Sequence, residues 1–195
     1  MHLTLIGTRT SPYVRRLRLY LDEIPHEFEA IDYMAESKDD IRLTKANPIK
    51  RVPVLLVDGE PLWESRIIYQ FLARAFARHV LTLDEENIQS AIDGWQDSLI
   101  LPFLMQRMGQ TVDLKSTYWL RQMERQSELM TYLGKAISEH RIESWDYPAM
   151  SLWSLLDWAE FRNLLSLEKS GKHFQRFFAL HSHHGLNKAT DPRLV

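Results

Sequence analysis

The sequence predicts an α/β domain over residues 1–78, a short linker at 79–83 and an all-helical domain over 84–195. Three observations carry that prediction. Short apolar runs alternate with helical stripes as far as Arg78. Beyond His79 the alternation stops and long helical periods take over. Between them, Asn47 to Ser65 reads as a hairpin that feeds a helix. It holds a turn at Asn47-Pro48, adjacent cations at Lys50 and Arg51, and the run Val52-Pro53-Val54-Leu55-Leu56-Val57. Asp58-Gly59 then turns the chain, and Pro61-Leu62-Trp63 returns it to Glu64-Ser65. Asp-Gly between apolar runs is a strong hairpin signal, and a Pro heading a strand sacrifices one ladder bond only.

Leu3 to Ile6, closed by Gly7, reads as a buried strand. Ser11-Pro12 then opens a helix, with Ser as cap and Pro in the first turn. Val14, Leu17, Leu21 and Ile24 recur at helical spacing along it. Arg15, Arg16 and Arg18 fall on its other faces and read as solvated, with Asp22 and Glu23 nearby. Phe28 to Ile31 alternates as a second strand, and the polar stretch from Tyr33 to Thr44 holds at most a short helix. After Ser65, a stripe of Ile67, Ile68, Phe71, Leu72 and Ala75 predicts a helix to about Arg78. The later helical periods span Asp84–Gln110, with Pro102 expected to kink it, then Leu114–His140, Tyr147–Leu165 and Lys172–Leu180.

Composition narrows the function. The 195 residues carry 24 Lys and Arg against 26 Asp and Glu, a formal net charge of -2, so no polycationic field favours nucleic acid or an anionic membrane. No Cys occurs, which removes disulfides, thiolate metal ligands and protein-borne thiol chemistry. No window approaches the roughly 18 apolar residues of a spanning helix, and the chain enters its first strand without a leader pattern, so the expected location is cytoplasmic.

Ser11-Pro12-Tyr13, Val52-Pro53 and Glu64-Ser65, in that order and at those separations, resemble the cytosolic glutathione transferases of the bacterial type. Met150-Ser151-Leu152 through Leu156, ending in Glu160-Phe161-Arg162, is similar to the buried central helix of their second domain. The resemblance implies a thioredoxin-like N-terminal domain followed by an all-α helical-bundle C-terminal domain. It also implies a homodimer, glutathione as substrate with no further cofactor, and a small hydrophobic electrophile as the second substrate.

What the resemblance implies for single residues follows the chemistry of a tripeptide thiol. Ser65 would cap the third helix, and its hydroxyl and N–H, with the helix dipole, suit the γ-glutamyl carboxylate. Glu64 would lie beside the ligand's amine. Val52 would offer its backbone to the cysteinyl unit, held by a cis Pro53, and Arg51 with Lys50 would meet the glycyl carboxylate. Ser11 is the catalytic candidate, a hydroxyl donor that stabilises the thiolate. Thr8, Thr10, Tyr13 and Arg9 remain alternative groups for the sulfur, and a bare helix cap is the plain alternative for both serines. The electrophile pocket would draw on Arg9 and Tyr13 and, from the long fourth helix, Met105, Arg107 and Met108.

His181, His183 and His184 fall in what reads as a polar tail without acidic or Cys partners, so no metal is expected. Ala149 stands where the family often has an Asp that completes a capping box, leaving Asp146 to cap that helix. Conjugation, glutathione-dependent reduction and isomerisation all share the same thiolate. From another functional class, Trp63 to Ile68 is similar to a stretch of stringent starvation protein A, a non-catalytic protein of this scaffold that binds RNA polymerase.

Overall fold

A computed structural model describes residues 1–32 and 38–194. The chain forms two compact units, Met1–Val80 together with Ser182–Val195, and Leu81–His181. The first unit is built on strands β1 (Leu3–Gly7), β2 (Glu27–Ala30), β3 (Val54–Val57) and β4 (Glu60–Leu62), with helices α1 (Pro12–Tyr20), α2 (Lys38–Ala46) and α3 (Ser65–Ala75). The strand order is β2-β1-β3-β4. β1 runs parallel to β2 and antiparallel to β3, so Leu5 sits between Phe28 and Leu55 at the centre of the sheet. The expected thioredoxin-like layout is present. The part of the polar stretch at 33–37 lies outside the described residues, and α2 occupies its second half.

Local chemistry fixes the sheet's working end. The Asp58-Gly59 turn has φ 51° and φ 91°, the positive pair that a two-residue hairpin needs. Pro61 pairs with Leu56 on the edge strand, where a missing N–H is tolerated. Gly7 ends β1 because a Cβ there would lie 2.4 Å from Val14 Cγ2, so only glycine lets α1 close onto the strand end.

α1 is the first departure from expectation. Its flanks are not solvated: Arg15 and Arg16 are 3% and 1% exposed, and Arg18 is half-buried. Buried guanidiniums persist only when bonded, and their partners are remote in sequence. Arg15 donates from Nε to Thr190 Oγ1 at 3.2 Å and from Nη2 to the Asn187 carbonyl at 2.9 Å. Arg18 donates to the Ala189 carbonyl at 3.3 Å and lies over the Phe28 ring at 4.4 Å. Burial, then the neighbouring Arg9 and Arg15 charges, lower its pKa.

Those bonds explain the second departure. The C-terminal segment, expected to belong to the helical domain, groups with the first unit instead. Its short helix, Gly185–Ala189, presents C-terminal carbonyls to the cations of α1, the favourable polarity for a helix end.

The second unit contains α4 (Leu83–Arg107), α5 (Thr117–Ser138), α6 (Tyr147–Phe161) and α7 (Lys172–His181). Thr82 and Glu85 form a reciprocal capping box that starts α4, with Pro102 inside the helix. α6 is buried on every side from Tyr147 to Ala159, as a central helix must be, and α4 and α7 pack on it. Asp146 holds its N-cap position, yet its side chain makes no capping bond, and Ala149 is fully buried. The helix is held by packing in place of a box. His181 is no part of a polar tail: it is 3% exposed, stacked on Trp145 at 5.0 Å and against Phe177 at 4.6 Å. Among the described residues no helix is long and apolar enough to cross a membrane.

Candidate functional site

Strand polarity gathers three turns of the first unit at one end of its sheet. β1 ends at Gly7 and leads to Ser11. β3 is antiparallel to β1 with Val54 beside Ile6, so the preceding Val52-Pro53 lies at that end. β4 is antiparallel to β3 with Leu62 beside Leu55, which brings Glu64-Ser65 back to it.

Ser11 is the N-cap of α1, with Pro12 in the first turn. Its Oγ accepts the Val14 N–H at 3.4 Å, a long bond that uses the oxygen and leaves the hydroxyl proton with no acceptor among the described residues. Tyr13 follows, half-buried, with the Arg16 guanidinium 5.0 Å over its ring.

The Val52–Pro53 peptide bond is cis, as the resemblance implied; a second cis bond joins Trp63 to Glu64. Val52 stands just before the ladder, which begins at Val54, so its backbone polar groups lie outside the strand pairing. The loop ahead of it is shaped by Asn47, fully buried. Its Nδ2 donates to the Arg51 carbonyl at 2.8 Å and its Oδ1 accepts the Ile49 N–H at 2.9 Å. Lys50, at φ 56°, donates its N–H to the Asn47 carbonyl at 2.9 Å. The side chains of Lys50 and Arg51 are then exposed cations with no ion-pair partner among the described residues.

At the mouth of α3 the two candidate residues exchange roles. Glu64, not Ser65, is the N-cap, and its side chain makes no capping bond. Its carboxylate has no partner among the described residues, which suits a ligand amine. Ser65 is the first helical residue, 2% exposed, and its Oγ accepts from Arg16 Nη2 at 2.5 Å. The expected cap is therefore a hydroxyl held from behind by a buried cation. The first-turn N–H groups of α3 have no intrahelical acceptors, the general character of a helix end that can receive an anion.

Arg16 joins Tyr13 and Ser65, two candidate residues 52 positions apart by number. Sequence reasoning missed both Arg16 and Asn47. A signal was present for the arginine: neither Arg15 nor Arg16 has an acidic residue three or four positions away, so neither had a local partner for a solvated face.

Of the electrophile candidates, exposed Arg9 turns its guanidinium toward Phe28, 5.7 Å from the ring centre. Met105 is half-exposed in the last turn of α4, and Met108 is its C-cap, 62% exposed. Arg107, also exposed, ends the helix.

A sheet of this order followed by helices, with a cis X-Pro turn beside two helix mouths, defines a thioredoxin-like domain joined to a helical unit. Residues 1–74 match the family "Glutathione S-transferase, N-terminal domain". A probable glutathione S-transferase, GSTU6, of Oryza sativa subsp. japonica is 38% identical over 71 residues, 36% of this chain and 30% of that protein. The match thus spans about a third of the length of such curated relatives. Over nearly the whole chain the fold is that of a glutathione S-transferase from Methylobacillus flagellatus with GSH bound. That comparison has TM-score 0.82 and 20% identity, covering 97% of this chain and 99% of the other. A glutathione transferase family member from Pseudomonas fluorescens Pf-5, with bound glutathione, superposes with TM-score 0.79 at 23% identity, covering 97% and 98%. Residues 1–74 thus match the N-terminal domain of the glutathione S-transferases, and the fold over the chain's length is that of solved glutathione S-transferases.

Proposed function

We propose that this protein binds glutathione and holds its thiolate for transfer to a small hydrophobic electrophile. The observation that carries the reading is the gathering of Ser11, Val52-Pro53 and Glu64-Ser65 at one sheet end, each with chemistry matched to one part of the tripeptide. Ser65 and the first-turn N–H groups of α3 receive the γ-glutamyl carboxylate, and Glu64 receives the amine. Val52 pairs through its backbone with the cysteinyl unit. Arg51, with Lys50 beside it, attracts the glycyl carboxylate.

Ser11 then donates a hydrogen bond from its hydroxyl to the thiolate sulfur and keeps its proton. A free thiol has a pKa near ~8.5, and lowering it by about two units requires roughly 2.7 kcal/mol of preference for the thiolate. A hydroxyl donor at the positive end of α1 is suited to supply much of that. The thiol proton leaves to solvent. The sulfur then forms a bond to an electrophilic carbon as the leaving group departs with its electron pair. A homodimeric assembly belongs to the same proposal.

The test is a glutathione titration followed by Trp fluorescence, coupled to turnover of a generic aryl halide. Saturable binding with thioether formation is expected. Failure to bind glutathione would overturn the reading, and binding without turnover would limit it to the ligand.

A further inference from the structure

We infer that the second unit carries a binding site for an aryl carboxylate, formed where Arg162 at the end of α6 meets Phe103 and Arg107 on α4. The site lies wholly within that unit and is independent of glutathione binding by the first.

α6 ends at Phe161, and Arg162 is its C-cap. α4 packs on α6. Phe103 meets Trp158 edge to face at 5.4 Å between ring centres, and Trp158 is 4% exposed, so the contact is the floor of the patch. The Arg162 guanidinium lies 5.3 Å from the centre of the Phe103 ring and 4.4 Å from that of Phe161. Arg107 stands one helical turn beyond Phe103, on the same face of α4. Two cations thus share one aromatic patch.

Neither cation is neutralised. Among the described residues the two guanidiniums have no hydrogen bond or ion pair, and Arg162 Nε is shielded from solvent without a partner. Glu160, the acidic residue nearest to Arg162 in sequence, is turned to the following loop, where it accepts the Leu167 N–H at 2.6 Å. No Asp or Glu lies within five positions of Arg107. Burial, then the Arg107 charge, lower the pKa of Arg162. The ring faces of Phe161 and Phe103 offset part of the lost hydration. They leave Nε unpaired and the like charges unrelieved, an arrangement that costs free energy until an anion arrives. Capping α6 does not account for it, because the guanidinium donates to none of the helix's last carbonyls among the described residues.

A carboxylate answers this set of groups. It is planar, accepts two parallel N–H bonds from an arginine fork, and draws the second cation to the same charge. Phe103 and Phe161 are only half-buried, so an aromatic body attached to the carboxylate gains ring contacts beside the cations. A small aliphatic anion gains the charge alone, and a neutral aryl compound the rings alone.

The test is equilibrium dialysis of the full chain against 2-naphthoate and, separately, its neutral counterpart 2-naphthylmethanol, read by the probe's own absorbance. The parent should prefer the carboxylate by about tenfold or more, the range of a hydrogen bond between charged groups. Arg162→Gln should abolish most of that preference, and Arg162→Lys, which keeps the charge but not the fork, should retain part of it. Arg107→Gln removes an exposed cation and should weaken naphthoate about threefold, with the difference fading near ~0.5 M salt. Arg121→Gln removes an exposed cation of α5 and should change nothing.

A parent that binds neither probe, or binds both equally, overturns the inference. So does an unchanged preference in Arg162→Gln, which would leave that arginine a structural cap. An equal loss in Arg121→Gln also overturns it, by showing a response to surface charge in general. Should Arg162→Gln fail to fold, Arg162→Lys decides: a reduced preference supports the site and an undiminished one refutes it.

Discussion

At the mouth of α1 a serine sits just outside the helix; at the mouth of α3 a serine sits just inside it. Ser11 bonds its own helix, loosely, through Val14 N at 3.4 Å. Ser65 bonds a different helix, closely, through Arg16 at 2.5 Å, while Glu64 takes the cap position. The first hydroxyl is a weak cap, which in the proposed function donates a hydrogen bond to the ligand's sulfur. The second is bonded to a buried cation and, in the proposed function, receives the γ-glutamyl carboxylate. Two similar Ser-at-helix signals thus have different surroundings, and the proposed function gives one the reacting atom and the other recognition.

The largest expected effect breaks the comparison on the α1 side. Ser11→Ala should lower thioether-forming turnover by about a hundredfold, the rate equivalent of roughly 2.7 kcal/mol, while changing glutathione affinity by less than about threefold. Losing the donor raises the ligand thiol's pKa toward its free value, so the variant's rate should climb with pH over a range where the parent's has levelled. Steady-state kinetics across pH check this, and equal turnover by variant and parent would sink the role. The stability cost should be small, at the low end of about 0.5–2 kcal/mol for a cap, because the capping bond is long.

The converse split is expected at α3. Ser65→Ala should weaken glutathione about tenfold with little change in kcat for bound substrate. It should also destabilise the fold by roughly 1–3 kcal/mol, because it strips an acceptor from a buried guanidinium. Urea midpoints and titration together test both parts. A Ser65→Ala protein that is as stable as its parent would mean that the Arg16 bond contributes nothing to the fold.

Much of this unit is legible in the amino-acid pattern. The succession of strands and helices along the chain follows from short apolar runs and the Asp58-Gly59 turn, whose positive φ pair is a local property. Val52-Pro53 and Glu64-Ser65 can be placed because a hairpin carries one to the other. The buried arginines are illegible there because their meaning lies in partners distant in the chain. Ser65 stands 49 positions from Arg16, and Thr190 stands 175 from Arg15. Periodicity assigns a charged residue to a solvated face unless something tells it otherwise. The return of the C-terminal segment is hidden for the same reason, since its hold is carbonyls and a hydroxyl meeting cations, not an apolar stripe. The exchange between Glu64 and Ser65 at the cap is a one-residue boundary shift that pattern does not resolve.

Arg15 sharpens the contrast from the adjacent position. It is buried like Arg16 but bonds Thr190 and Asn187, not the site. Arg15→Met keeps volume and removes the donors, so it should speed amide exchange locally over the segment from Asn187 to Thr190. The expected loss of stability is about 1–2 kcal/mol. Glutathione affinity should be unaffected. A drop in that affinity would show that the two arginines act as one network and that the division between them is false.

The smallest effect concerns the loop that the proposed function sets against the glycyl end of the ligand. Lys50 holds φ 56°, a left-handed conformation that costs a residue with a Cβ roughly 1–2 kcal/mol. Lys50→Gly removes that cost but adds about 0.5–1 kcal/mol of unfolded-state entropy, so a net gain of about 0.5 kcal/mol is expected. The charge is also lost. Because Lys50 is exposed, its attraction for the glycyl carboxylate is screened, and affinity should fall only about twofold at low salt, with the difference fading near ~0.5 M salt. Arg51→Ala, which removes a forked donor, should cost more and retain a loss at high salt. Titrations of both variants at two ionic strengths separate a pairing cation from a steering one. Identical salt dependence would place Arg51 with Lys50 as mere field, leaving the α3 mouth to carry recognition alone.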